Sequence, residues 1–224
     1  HPDTLNTLQN LAALYSEQNR FEDAERVLVE THSIQSRVLG ADHLDTLISM
    51  TNLGVLYFNM KRYADSADVL TTAISSLSTS QRSRHPWTEY AMSVAVRSLM
   101  KLGRTDEAIP MFRELLGIRT DSADRPDADA PSLNDSASLL LSHEIITLRD
   151  PVRALNYAAR ACEVEGVGPR RAQYLGTLAQ AQFETGDATS AVSTQRLVIE
   201  VLGEDSPDLP AAREALTRYE SEAR

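Results

Sequence analysis

Short stretches of similar sequence recur along the first half of this chain at a fixed spacing of 42 residues. His1-Pro-Asp-Thr-Leu5, His43-Leu-Asp-Thr-Leu47 and His85-Pro-Trp-Thr-Glu89 are three copies of one such stretch. Self-similarity at periods of about 20–50 residues is typical of repeat proteins, in which each unit packs only against its neighbours. The repeat therefore predicts a stack of similar units in place of ordinary globular domains.

Each unit has the pattern of two helices joined by a short turn. In the first unit, one set of apolar residues runs from Leu5 to Tyr15 at three- and four-residue steps, and a second runs from Phe21 to Val38. This spacing places the apolar side chains on one face of a helix. Gly40 then supplies a helix-ending residue. We predict a helix A and a helix B in each unit, neither of which can bury its apolar face without the next unit.

Small residues at one position of helix A are expected to face helix B. They are Ala12, Gly54, Val96, Ser142 and Ala179. Gly54 in particular should lie where the two helices of the second unit press together. The irregular step between the third and fourth of these residues indicates an insertion, which coincides with a polar, acidic tract.

The predicted fold is all-α, a right-handed α-solenoid of about five helical hairpins with a C-terminal capping helix. Helix A of the fourth unit is expected around residues 139–145, where apolar periodicity returns, and the serine-rich stretch 75–84 is expected to loosen the end of the second helix B. The predicted segments are three units at 1–42, 43–84 and 85–119, a flexible acidic loop at 120–131, two further units at 132–203, and the capping helix at 204–224.

The repeated residues resemble the tetratricopeptide repeat in its kinesin light chain form. Leu11-Ala12-x-x-Tyr15 and Leu53-Gly54-x-x-Tyr57 match the Leu-Gly-x-x-Tyr pattern of helix A, although the third unit lacks this Gly and Tyr. The 42-residue spacing and the Leu-Gly-x-Asp-His junction at 39–43 are similar to the light-chain variety in particular. The resemblance implies extended peptides bound on the concave surface formed by the A helices, and kinesin light chains bind acidic cargo peptides that contain tryptophan. The small residues of helix B that match the repeat are Ala24, Ser66, Ala73 and Ala108.

A second resemblance supports an alternative function. Residues 148–155 are similar to repeat tails of bacterial multidomain serine/threonine kinases, and light-chain-type repeats also follow NTPase modules in signalling proteins. The chain would then be the C-terminal regulatory or substrate-docking region of a larger protein. We expect a fragment, because the first residue is His1 and not Met, and any kinase motif would lie outside it.

The sequence contains no convincing catalytic, cofactor or metal site. His1, His43 and His85 share one repeat position, which favours a structural role at the hairpin junction. His143-Glu144 lacks the second histidine of a zinc motif, and residues 166–171 lack the Gly-Lys-Ser/Thr of a phosphate loop. The acidic tract lacks the Gly and Glu of an EF-hand. We therefore predict a protein that is not an enzyme and that needs neither cofactor nor metal.

Composition narrows the range of partners. The net charge of −10 argues against nucleic-acid binding, which needs a basic surface. No apolar run reaches the ~18 residues of a membrane span. The single cysteine, Cys162, is expected to be a buried, inert thiol and is compatible with the reducing cytoplasm, where we expect this protein. The charged C-terminal helix favours a monomer.

The candidate binding residues lie on the side of each helix A that faces away from helix B. Carboxamides, cations and aromatic rings at these positions predict a protein or peptide ligand, specifically an acidic peptide with a bulky residue. A different interpretation stays open, in which the asparagines satisfy helix backbone and the cations are solvated surface charges. The candidates are Asn6, Gln9 and Asn10 in the first unit, Asn52, Phe58 and Asn59 in the second, and Tyr90, Arg97 and Lys101 in the third.

Overall fold

The computed structural model describes residues 2–78, 85–141 and 145–223, except for the side chains of residues 2–4, 6 and 146. This part of the chain contains eleven α-helices, one 3-10 helix at Ile146–Leu148 and no strand, so the predicted all-α array of helical hairpins is confirmed. None of its helices is long and apolar enough to cross a membrane. The helices are α1 Pro2–Glu17, α2 Phe21–Leu39, α3 Leu44–Asn59, α4 Tyr63–Ser78, α5 Pro86–Lys101, α6 Thr105–Ala123, α7 Ala130–Leu140, α8 Pro151–Glu165, α9 Arg171–Glu184, α10 Ala188–Leu202 and α11 Leu209–Glu222.

The chain forms two compact units, His1–Leu115 and Leu116–Arg224. In the first unit, helices that follow each other in sequence pack together from α1 to α5. Helix α3 also contacts both α1 and α5, which places the three A helices of this unit side by side. Their shared surface carries most of the candidate binding residues.

The turn between helices A and B is the same in three successive hairpins. Asn19, Lys61 and Gly103 lie 42 residues apart and adopt φ angles of 58°, 60° and 72°. A residue in the left-handed region ends a helix and reverses the chain. Glycine adopts this conformation freely, whereas a lysine does so only under strain. The second hairpin therefore stores strain at Lys61.

An arginine follows each of these turns, and those of the second and third hairpins, Arg62 and Arg104, link neighbouring hairpins. Arg62 donates from Nε to Asp65 Oδ2 at 2.6 Å and from Nη1 to Glu25 Oε1 at 3.0 Å, joining α4 to α2. Arg104, at the equivalent position, pairs with Glu107 at 2.6 Å and with Asp68 of α4 at 3.7 Å. These pairs are exposed, so each contributes little to stability, but they repeat the same register from one hairpin to the next.

The close contact predicted at Gly54 is confirmed. A Cβ atom on Gly54 would lie only 2.5 Å from Cγ of Leu70 in α4, and Leu70 is completely buried. The Ser66 hydroxyl donates to the Gly54 carbonyl oxygen at 2.8 Å. Helices α3 and α4 thus touch at a point where there is no room for a side chain on α3. The equivalent Ala12, Val96 and Ala179 are also buried, and Ser142 lies outside the described residues.

The second unit has its own apolar core. Tyr157 of α8 and Tyr174 of α9 are almost fully buried at its centre, with Leu133 and Leu140 of α7. Helix α11, in the predicted capping segment, buries Tyr219, whose ring centroid lies 4.6 Å from that of Phe183 in α9. An aromatic contact therefore packs the last helix of the unit, α11, against α9.

The predicted bounds of the acidic loop, 120–131, are wrong. Helix α6 continues to Ala123, because Thr120 and Ala123 are buried and hold its last turn in the structure. Helix α7 begins at Ala130, where the Asp129 carboxylate accepts a hydrogen bond from the third following backbone amide. Only residues 124–129 lie between the two helices.

Side chains of α8 hold this shorter connector. Arg160 donates to the carbonyl oxygens of Ala123 and Arg125, both at 2.8 Å. The Tyr157 hydroxyl and Arg153 both donate to the carboxylate of Asp124, and these hydrogen bonds, the tyrosine's first, hold the pKa of Asp124 below its usual value. The connector is therefore fixed to α8 by a hydrogen-bonded network, which the sequence-based prediction of a flexible loop missed.

Helix A of the fourth hairpin also begins earlier than predicted. The sequence placed it around residues 139–145, whereas α7 spans Ala130–Leu140 and ends at Leu141. The apolar run at 139–141 marks the end of the helix. Earlier in the helix the polar residues Asn134 and Ser136 are buried, so the apolar pattern did not reveal where the helix begins. His143-Glu144 and the end of the serine-rich stretch, 79–84, lie outside the described residues, and α4 extends to Ser78.

Candidate functional site: a cleft between three A helices

A cleft of about 470 Å³ opens between α1, α3 and α5. Its volume falls within the ~300–1,000 Å³ range that is usual for ligand pockets. Leu28 of α2 and Leu56 of α3 are buried and form an apolar floor. The other residues that line it are Gln9, Asn10, Ala12, Ala13, Ser16 and Glu17 of α1, Asn52, Val55 and Asn59 of α3, and Trp87 and Tyr90 of α5.

Four carboxamide side chains line this cleft. Asn10 and Asn52 occupy the same position in successive repeats, and in the described part of the chain neither makes a hydrogen bond to its own helix backbone. The Nε2 atom of Gln9 is buried and makes no hydrogen bond to any described atom. Asn59 is the last residue of α3. A carboxamide donates through its nitrogen and accepts through its oxygen, so the set matches the alternating polar groups of an extended peptide backbone.

Two aromatic side chains at the start of α5 form another wall of the cleft. Trp87 and Tyr90 meet edge to face, with ring centroids 6.0 Å apart, and Tyr90 is 43% exposed. The backbone amide of Trp87 donates to Nδ1 of His85, which caps α5, and His43 caps α3 in the same way. The repeated histidine is thus a helix cap, which confirms the structural role predicted from its recurrence. His1 lies outside the described residues.

Sequence reasoning missed Trp87 although a signal was present. The repeated opening has aspartate at this position in the first two units and tryptophan only in the third. Such a departure from the repeat marks a residue that the hairpin itself does not require. Trp87 is also the only tryptophan of the chain, so its fluorescence reports directly on the cleft.

Of the nine predicted site residues, three whose side chains are described do not line the cleft: Phe58, Arg97 and Lys101. The Arg97 guanidinium lies 4.5 Å from the centroid of the Phe58 ring, and this pair forms a separate contact between α5 and α3. Lys101 is exposed at the last position of α5. The side chain of Asn6 lies outside the described residues. The cleft therefore contains five of the predicted residues: Gln9, Asn10, Asn52, Asn59 and Tyr90.

Glu17 is the one charged side chain among the described residues that line the cleft. It is exposed, and it ends α1 at the repeat position that Asn59 occupies in α3. The sequence analysis did not single it out, because an exposed glutamate at a helix end carries no local signal. The cleft itself is therefore mildly acidic, whereas the predicted cations lie beside it on α5.

The described lining of the cleft carries groups that can form hydrogen bonds and apolar contacts. Its described lining offers four carboxamides, the hydroxyls of Ser16 and Tyr90, the indole N–H of Trp87, one carboxylate and apolar surface. No group of three or more His, Cys, Asp or Glu residues in the described ranges could hold a metal ion. Cys162 is only partly buried in the second unit, and burial raises the pKa of its thiol.

Comparison with known structures shows the same architecture. A Podosopora anserina protein described as a kinesin light chain with nearly identical TPR-like repeats matches with a TM-score of 0.67 and 18% identity, over 90% of this chain and 96% of that one. BtubC (BKLC) from P. vanneervenii matches with a TM-score of 0.62 and 17% identity, over 88% and 78%. The quorum sensor NprR from B. thuringiensis, in its apo form, matches with a TM-score of 0.63 and 14% identity, over 97% and 59%. At these identities the similarity shows the fold alone.

Comparison of sequences identifies the family. No curated protein matches the chain. The tetratricopeptide repeat family matches residues 3–79 and again residues 91–126, which together make up about half of the sequence. These two segments contain the helix A and helix B patterns that the structure shows as packed hairpins. The chain therefore belongs to the tetratricopeptide repeat family.

Proposed function

We propose that this chain is a non-enzymatic protein-interaction scaffold that binds a linear peptide, acidic and with an aromatic residue, in the cleft between α1, α3 and α5. The observation that carries the proposal is the lining of the cleft, in which four carboxamides on α1 and α3 lie opposite Trp87 and Tyr90 on α5. Members of this repeat family are built as stacked hairpins that present such extended surfaces.

The carboxamides supply contacts to peptide backbone. An extended peptide exposes one N–H and one C=O per residue, and Asn10 and Asn52 can each donate to a carbonyl and accept from an amide. Gln9 lines the cleft beside them, and its Nε2 atom is buried with no partner among the described atoms. Such contacts do not depend on peptide sequence, so they provide affinity and leave specificity to the side chains.

The aromatic wall supplies a place for a bulky residue. Trp87 is half-buried, Tyr90 is 43% exposed, and Val55 of α3 is half-buried in the same cleft. A peptide aromatic ring against Trp87 and Tyr90 gains edge-to-face contacts of about 0.5–1.5 kcal/mol beyond its area burial. An aromatic peptide residue is therefore favoured over a small or charged one at this wall.

The preference for acidic peptides rests on Arg97 and Lys101. Both are exposed on α5, the helix that also carries Trp87 and Tyr90. Carboxylates that follow the aromatic residue of a peptide can reach these cations as it continues past the cleft. Exposed ion pairs of this kind contribute about 0.2–1 kcal/mol each and weaken as salt rises.

The test is selection of linear peptides from a random display library, followed by binding measurements at two salt concentrations. Acidic, aromatic sequences should be enriched, quench or shift Trp87 fluorescence, and bind more weakly at high salt. The double variant Arg97→Glu/Lys101→Glu should weaken binding by about 2–30-fold, the factor that corresponds to two exposed ion pairs. The matched control is Arg26→Glu/Arg113→Glu, which makes the same charge change at exposed positions on the B helices α2 and α6.

Three results would contradict the proposal. One is failure of the library to yield any enriched peptide. Another is selected peptides that leave Trp87 fluorescence unchanged. The third is equal loss of binding in the α5 variant and in the control variant, because the effect would then come from net charge and not from α5.

A further inference from the structure

One position of the repeat carries a different charge in each of the three A helices of the first unit. Glu17, Asn59 and Lys101 are the last residues of α1, α3 and α5, and each of these helices has 16 residues. They also lie 42 residues apart, so sequence and structure agree that the three positions are equivalent. Along this row the side chain changes from acidic to neutral to basic.

The row follows the order of the helices in space. Helix α3 contacts both α1 and α5 and therefore lies between them. Glu17 and Asn59 line the cleft, and Lys101 is exposed on the helix beside it. Arg97, one turn before Lys101, adds a second cation on α5. A ligand that crosses the three helices thus meets a negative charge at one end and positive charges at the other.

Folding does not explain the acidic end of this row. The C-terminal end of a helix carries a partial negative charge, which favours a cation such as Lys101 and disfavours an anion such as Glu17. Among the described residues Glu17 also makes no ion pair that would compensate. The carboxylate therefore stands at an unfavourable position, exposed and facing the cleft.

We propose that this surface selects a peptide whose charges are segregated, with a basic residue over α1, an apolar or aromatic residue in the centre, and acidic residues over α5. The inference rests on the proposed function and adds to it the order of the charges along the bound peptide. The basic residue pairs with Glu17, the acidic residues pair with Lys101 and Arg97, and the central residue lies over α3, which carries Asn59 and the half-buried Phe58 there. A purely acidic peptide places a negative charge beside Glu17, and the two like charges repel each other.

The geometry sets the length of such a peptide. Neighbouring helices pack about 10 Å apart, so α1 and α5 are separated by roughly 20 Å across α3. An extended chain advances about 3.3 Å per residue, which places the basic and acidic residues about six positions apart. At roughly 20 Å the two ends are beyond a Debye length of about 8 Å at physiological salt, so each end is recognised independently.

The experiment uses synthetic peptides of one composition and different charge order. One peptide carries lysines before a central phenylalanine and glutamates after it, a second has the reverse order, and a third mixes the charges evenly. Binding to the full chain is followed by Trp87 fluorescence, which the peptides leave unobscured because they lack tryptophan. One of the two segregated peptides should bind about 3–10-fold more tightly than the mixed peptide, the factor expected for one or two exposed ion pairs.

The decisive variant is the charge exchange Glu17→Lys/Lys101→Glu. It keeps the net charge and, because Arg97 still stands on α5, should abolish or reverse the preference for one segregated peptide over the other. Equal binding of all three peptides, or an unchanged preference in the exchanged variant, would overturn the inference while leaving the proposed function intact. Absence of binding by every peptide, including those selected from the display library, would instead count against the proposed function itself.

Discussion

Replacement of Gly54 by alanine is predicted to destabilise the first unit through one defined contact. The added Cβ would lie 2.5 Å from Leu70 Cγ and 2.6 Å from Leu70 Cδ2, far inside normal contact distance. Leu70 is fully buried and cannot turn into solvent. Overpacking of this kind costs about 1–3 kcal/mol. The better helix propensity of alanine returns about 0.5–1 kcal/mol, so we expect the free energy of unfolding to fall by about 1–2 kcal/mol.

A double-variant cycle separates this contact from other effects. Leu70→Ala alone should cost about 2–5 kcal/mol, because it leaves a cavity in the core. In that background the clash is gone, and the methyl group of Gly54→Ala enters the space left by Leu70. The second substitution should then be neutral or stabilising. The coupling energy between the two sites should accordingly be favourable, at about 1–3 kcal/mol.

Gly117→Ala is the matched control, measured by circular dichroism because Gly117 lies in the second unit. Gly117 lies inside α6, is exposed, and would place its Cβ more than 4 Å from any atom beyond its two chain neighbours and the backbone of its own helical turns. The same change of residue should therefore raise stability by about 0.5–1 kcal/mol.

Urea unfolding followed by Trp87 fluorescence measures this cycle in the first unit, and circular dichroism measures it over both units. Two outcomes would refute the reasoning. One is that Gly54→Ala is as harmless as the control. The other is that Gly54→Ala costs the same free energy with and without Leu70.

Three further predictions follow from single local features. Lys61→Gly should raise stability by about 0.5–1 kcal/mol in urea unfolding, because it relieves a positive φ angle of 60°, and Gly103→Lys should lower it. His43→Ala should cost about 1 kcal/mol through loss of the α3 cap, whereas His43→Asn should restore stability, and equal losses would exclude capping. The Asp124 pKa is lowered in the folded state, so its contribution is present above the unfolded pKa of about 4 and disappears as pH falls through the folded value. The stability difference between wild type and Asp124→Asn should therefore shrink below about pH 4, and a constant difference would contradict it.

The repeat fold was largely readable from the sequence, because its signals are local and recur. A helix face at three- and four-residue steps, a helix-ending residue and a small residue at Gly54 each act within one hairpin, and the 42-residue spacing carries them to the next. The hairpin turns were harder to read. Asn19 and Lys61 adopt the same left-handed conformation as Gly103, but only a glycine at such a position predicts it from the sequence.

Errors arose where tertiary contacts override local polarity. Residues 120–123 look like loop, but burial of Thr120 and Ala123 keeps them helical. The connector after them is polar and acidic, and only the fold brings Arg153, Tyr157 and Arg160 of α8 against it. Nothing in the sequence around residues 124–129 reveals partners that lie some 30 positions away.

The sequence by itself determined the family, the hairpin architecture and the helix face that lines the cleft. Only the tertiary structure decided which side chains share the cleft. It includes Trp87 and Glu17, and it leaves Phe58 stacked on Arg97 outside. Helical periodicity is set by residues three and four apart, whereas the lining of a cleft depends on how three separate helices are inclined to one another. That inclination arises from packing across the hairpins, so no single stretch of sequence contains it.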